Sequence, residues 1–88
     1  MKVKFESSFE KDLRKIKNKQ TKEKLKDIIL KCKKCNSLNE LNNIKKMKGY
    51  SNFYRLRIGD YRVGIELLGN NIIFTRFLHR KDIYKFFP

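Results

Sequence analysis

Tyr54-Arg55-Leu56-Arg57-Ile58-Gly59-Asp60-Tyr61-Arg62-Val63-Gly64-Ile65 alternates apolar and charged residues on both sides of a Gly-Asp pair. That is the pattern of two antiparallel strands joined by a two-residue turn. Glycine in the first turn position suits a type II′ turn, which needs a positive φ there. The turn fixes a register: Ile58 opposite Tyr61, Arg57 opposite Arg62, Leu56 opposite Val63 and Arg55 opposite Gly64. Tyr54, Leu56, Ile58, Tyr61, Val63, Ile65 and Leu67 then share an apolar face, while the reverse face carries Arg55, Arg57, Arg62 and Glu66. Two guanidinium groups directly across a ladder repel each other. A sequence shaped by stability alone would set a carboxylate against one of them. Kept together beside a glycine that leaves room, they predict a bound phosphate.

The same alternation continues outward. Ile44–Lys48 reads as a strand, Gly49–Asn52 as a loop, Gly69-Asn70-Asn71 as a second turn and Ile72–Leu78 as a last strand. Asp82–Phe87 reads as one helical turn, with Phe86 and Phe87 as core cover. Toward the N-terminus, Val3 and Phe5 alternate with Lys4 and Glu6, predicting a short strand. Ser7 and Glu10 have capping-box spacing and predict a helix start. That helix turns Phe9, Leu13 and Ile16 inward and Lys11, Asp12, Arg14 and Lys15 to water. After a turn at Asn18-Lys19-Gln20, a second helix is predicted over Thr21–Lys34, with Leu25, Ile28, Ile29 and Cys32 inside. Ser37 and Glu40 repeat the capping-box spacing for a single turn. The fold class is α+β: an N-terminal strand and an antiparallel meander with a helical hairpin packed on one face, in one domain over residues 1–88.

Charge narrows the function. Lys+Arg number 23 against 9 Asp+Glu, a net charge of +14 on 88 residues. Self-repulsion of that size points to a polyanionic or acidic partner. No apolar run is long enough to span a membrane and no signal-peptide pattern opens the chain, so the expected location is cytoplasmic. The first 48 residues hold fifteen lysines and one arginine; the remaining forty hold five arginines (Arg55, Arg57, Arg62, Arg76, Arg80) and two lysines. A switch to arginine marks positions that need a forked donor able to grip phosphate. Cys32 and Cys35 alone cannot complete a four-ligand zinc site, and they end a lysine-rich helix rather than a strand, so they read as packing residues. No metal or cofactor is expected.

His79-Arg80 follows the last strand and leads to Tyr84. Neighbouring cations favour a neutral imidazole, which makes His79 a candidate base. A two-residue second turn places His79 on the side of Arg62 and Glu66; a three-residue turn places Arg76 and Arg80 there.

The segments Met47-Lys48-Gly49, Tyr54 to Val63 and His79-Arg80-Lys81-Asp82-Ile83-Tyr84 together resemble the RelE branch of the RelE/ParE toxins of type II toxin–antitoxin pairs. The likeness spans nearly the whole domain. It implies a RelE-like fold and a ribosome-dependent, metal-independent endoribonuclease that cuts mRNA in the A site, an mRNA interferase that blocks translation. It implies catalytic roles for Arg55, Arg57, Arg62, Arg80 and Tyr84, with His79 or Glu66 taking the ribose 2′ proton. Lys48, Arg76 and Lys81 are assigned to RNA binding, and the lysine-rich helices to ribosomal RNA. The implied partners are mRNA, the ribosome and a cognate antitoxin, an acidic or amphipathic segment wrapping the domain. Operator DNA is expected only through the antitoxin complex. Two alternatives stand beside this: a ParE-like gyrase inhibitor, and a non-catalytic basic RNA- or ribosome-binding module.

Overall fold

The Gly59-Asp60 hairpin is present in the computed structural model, which describes residues 1–88. Strands β3 (Phe53–Ile58) and β4 (Tyr61–Leu68) pair antiparallel, with Arg57 opposite Arg62 and Arg55 opposite Gly64; Gly59 takes φ +57°. The second turn also has two residues, Gly69 and Asn70, and leads into β5 (Asn71–His79). β1 (Lys2–Phe5) adds to β5 in parallel and β2 (Ile44–Lys46) adds to β3 antiparallel, giving the order β1-β5-β4-β3-β2.

Helices α1 (Ser7–Arg14) and α2 (Lys19–Lys34) cover one face. The Asn18 side chain accepts from the Thr21 N–H at 3.1 Å, so α2 starts two residues before the predicted Thr21. The Ser7–Glu10 box does not form; Ser8 instead donates its hydroxyl to the Thr75 carbonyl at 2.6 Å. The Ser37–Glu40 box does form and closes a 3₁₀ turn at Leu38–Glu40. The core between helices and sheet includes Phe9, Leu25, Leu56, Val63, Phe74 and Phe77. Cys32 and Cys35 lie within it as free thiols. Burial, and secondarily Cys35, pushes the Cys32 thiol up to about 11.

Two features of β5 depart from the simple pattern. β1 pairs only as far as Phe74, which leaves the outer edge of β5 open from Thr75 onward. Asp12 closes it: its carboxylate accepts from the Phe77 N–H at 3.0 Å and from Arg76 at 2.7 and 3.2 Å. Asp12 is therefore buried rather than turned to water. Its burial is tolerated because each oxygen is paired. In addition, a bulge at Thr75 shifts the β4–β5 register, so that Ile65 pairs with Phe74 but Gly64 with Arg76. The Thr75 hydroxyl stabilises the bulge by donating to the Gly64 carbonyl at 2.9 Å.

The reverse face of the sheet is partly covered. α3 (Ile83–Phe86) folds back over it, and Ile83 and Phe87 are buried with Met47 against Phe53 and Leu78. A Cβ on Gly64 would lie 2.6–2.8 Å from three ring atoms of Phe87. The space above Gly64 thus belongs to Phe87 and not to a phosphate. Phe86, by contrast, remains exposed.

Candidate functional site

The uncovered end of the reverse face is built from the β3–β4 turn outward. Strand alternation sends Arg55, Arg57 and Arg62 to the same side. The Arg80 N–H donates to the Asp60 carbonyl at 2.8 Å, which brings the segment after β5 beside the turn. α3 then carries Tyr84 over Arg55, whose guanidinium carbon lies 5.4 Å from the ring centre. Arg62 is steered by its own hairpin: one guanidinium nitrogen donates to the carbonyls of Gly59 and Tyr61, both at 2.9 Å.

These side chains share one electrostatic field. Burial, then Arg55, Arg57 and Arg80 in that order, lower the Arg62 pKa below the usual arginine value, and Tyr84 acts in the opposite sense. Each added cation makes the next proton easier to lose. The one ion pair in the chain, Arg76–Asp12, involves none of these four arginines. Arg55, Arg57 and Arg62, together with Asn43, Ile44 and Lys45, line an open groove of about 450 Å³. An arrangement of this kind favours a dianionic or phosphorane-like oxygen set over water.

The other five candidate residues lie elsewhere. His79 pairs with Tyr61 rather than Arg62, and its ring packs 5.6 Å from the Tyr61 ring on the helix-facing side. The turn has two residues, yet the facing is the one expected of a three-residue turn, with Arg76 rather than His79 on the side of Arg62, because the bulge at Thr75 reverses it. Arg76 is neutralised by Asp12 and lies over Phe86 at 5.8 Å, so it is not a free RNA-binding cation. Lys48 and Lys81 are exposed, the former on the turn after β2 and outside the groove. Glu66 lies beyond Gly64 on β4 and accepts from the Asn52 amide at 3.2 Å. Lys45 was not singled out from the sequence. Its pairing with Arg55 places it in the groove, and the irregular residues between β2 and β3 hid that register.

Residues 3–84 match the family described as the ParE toxin of the type II toxin–antitoxin system, parDE. The chain belongs to this family. The toxin is 52% identical over 89 residues to toxin RelE3 of Methanocaldococcus jannaschii, with both chains covered completely. Its fold superposes with a TM-score of 0.84 on the toxin in the RelB–RelE antitoxin–toxin complex from Methanococcus jannaschii, at 49% identity over 98% of this chain and 100% of that one. A YoeB dimer from Staphylococcus aureus shares the fold at a TM-score of 0.73 and 16% identity, covering 90% of this chain and 95% of that one. The toxin is a RelE homologue of a type II toxin–antitoxin system, and its α+β architecture is that of RelE. No helix is long and apolar enough to cross a membrane.

Proposed function

We propose that the toxin is an endoribonuclease that cuts mRNA in the ribosomal A site and does so without a metal ion. The observation that carries this reading is the mutual crowding of Arg55, Arg57, Arg62 and Arg80 with no carboxylate paired to any of them. Such repulsion costs folding energy and is offset when a phosphodiester enters.

The reaction is a transphosphorylation. The ribose 2′-oxygen attacks the adjacent phosphorus, the bond from phosphorus to the 5′-oxygen breaks, and a 2′,3′-cyclic phosphate and a 5′-hydroxyl result. One proton leaves the 2′-hydroxyl and one arrives at the 5′-oxygen. Arg57 and Arg62 neutralise the equatorial oxygens as charge builds on them, Arg55 holds the backbone, and Arg80 faces the leaving oxygen. His79 lies on the far face and Glu66 beyond Gly64, so no strong base is assigned. The positive field itself lowers the pKa of the 2′-hydroxyl, and Tyr84 stacks a nucleobase or relays the proton. Holding of the message by the ribosome supplies much of the orientation.

The complex formed by the RelB–RelE relative supports an antitoxin partner for this chain, and the net charge of +14 suits an acidic or amphipathic segment. The ParE description of the family favours a second reading, a toxin that inhibits DNA gyrase by binding. In vitro translation with primer extension separates the two. Cuts in ribosome-bound message that vanish with Arg62→Ala support the nuclease; intact message with inhibited supercoiling supports the second reading and overturns the first.

A further inference from the structure

The arginine groove does not end at β3. A second cavity of about 330 Å³ lies between α2 and the Gly59 turn, and the two share Asn43 and Arg57. The far wall of this cavity is α2, which contributes Lys24, Asp27, Ile28 and Lys31. Spacings of three, four and seven put these residues on one helix face, with the two lysines about 10 Å apart along the axis. Both lysines are exposed and neither takes part in an ion pair. Across the two cavities Asp27 is the lone acid, against Lys24, Lys31, Lys45, Arg55, Arg57 and Arg62. The floor is apolar, formed by Leu41, Leu56 and Ile58. Cations on both walls of a low-dielectric cleft focus their field into it, and an apolar floor suits the ribose or base between two phosphates.

We infer that this cleft is a track for the phosphodiester backbone flanking the bound linkage, running from Arg62 past Arg57 and Asn43 to Lys24 and Lys31. The inference rests on the proposed function only in placing the scissile phosphate at Arg62. The phosphates are those of the message strand on either side of that linkage. The track sets Lys24 and Lys31 apart from the other lysines of α2. Lys22 and Lys33 line the opposite flank of the same helix, beside Leu13, Leu25 and Leu30.

The test compares two double variants of equal charge, Lys24→Ala/Lys31→Ala and Lys22→Ala/Lys33→Ala, with Arg62→Ala beside them. Binding of a 2′-O-methyl RNA dodecamer, which cannot be cut, is measured against salt, and co-sedimentation with ribosomes is measured in parallel. All four lysines are exposed, and circular dichroism checks that each variant folds. The track predicts that the first double variant loses about 1.4 from the slope of log K against log salt, about 0.7 per lost contact on a single strand, and that the second loses none. A loss seen with the dodecamer assigns the track to a single strand such as the message. A loss confined to ribosome binding puts Lys24 and Lys31 on ribosomal RNA and overturns the track. Equal behaviour of the two double variants in both arms overturns the track. An effect of the first double variant with none from Arg62→Ala keeps the track and overturns the phosphate site at Arg62.

Discussion

The ring of Phe87 sits where a side chain on Gly64 would be: an added Cβ would meet three of its atoms at 2.6–2.8 Å. This contact ties the end of the chain to β4 and carries α3, and therefore Tyr84, over Arg55. Gly64→Ala is expected to destabilise the fold by about 1–3 kcal/mol through overpacking, a drop in Tm of roughly 4–8 °C per kcal/mol for a domain of this size. Phe87→Leu in the Gly64→Ala background should recover part of that loss, because the smaller side chain vacates the contested volume. Urea titrations of the two single variants and the double variant measure the coupling. Simple additivity would show that the two residues do not share a site.

Arg57 and Arg62 stand directly opposite each other on β3 and β4. Like charges in that relation are unfavourable, so Arg57→Gln should raise stability by about 0.2–1 kcal/mol while lowering RNA cleavage. The opposite signs matter, since a residue kept for the fold would lose both together. Denaturation midpoints at low and high salt provide the check. The stability gain should shrink at 1 M salt, where the Debye length falls to about 3 Å.

Much of this arrangement was legible in the sequence because a two-residue turn leaves no freedom in register. Gly59-Asp60 alone placed Arg55, Arg57 and Arg62 together and put Leu56 and Val63 in the core. What stayed hidden depended on contacts between segments distant in sequence. Asp12 has the spacing of a solvent-facing residue on α1, and only the unpaired edge of β5 at Phe77 draws it inward. The bulge at Thr75 has no glycine to announce it, yet it decides which side His79, Arg76 and Arg80 occupy. Gly64 reads as open space until the chain end folds back over it.

Cys32 gives stability a dependence on pH in the alkaline range. Its thiol is pushed up to about 11 in the fold, from an ordinary value of 9.0, by burial first and Cys35 second. The folded protein therefore holds the proton more tightly than the unfolded chain. The associated stability is fully present below pH 9 and is lost as pH rises from 9.0 toward 11. The loss is on the order of 2 kcal/mol. Lysines titrate in the same window, so the comparison is between wild type and Cys32→Ala. Urea midpoints of the two proteins at pH 8 and pH 10.5 should converge at the higher pH, where the advantage of the native thiol has gone. A constant gap between them would show that Cys32 does not titrate with unfolding.

His79 provides the sharpest test of how protons move in the proposed cleavage. It pairs with Tyr61 on the helix-facing side, and its Nδ1 accepts the Lys81 N–H at 3.2 Å. From there it cannot reach a 2′-hydroxyl held at Arg62, since a base must come within hydrogen-bonding distance of the proton it takes. His79→Gln should therefore leave the cleavage rate within about threefold of wild type, whereas loss of a general base costs about 10²–10⁴-fold. The pH–rate profile carries the same information, because an imidazole acting as base would leave an inflection that the variant lacks. Matching profiles for wild type and variant leave activation of the 2′-oxygen to the arginine field. A collapse of the rate in a folded His79→Gln protein would instead require the segment after β5 to turn over when RNA binds, bringing the imidazole to the face that Arg62 occupies.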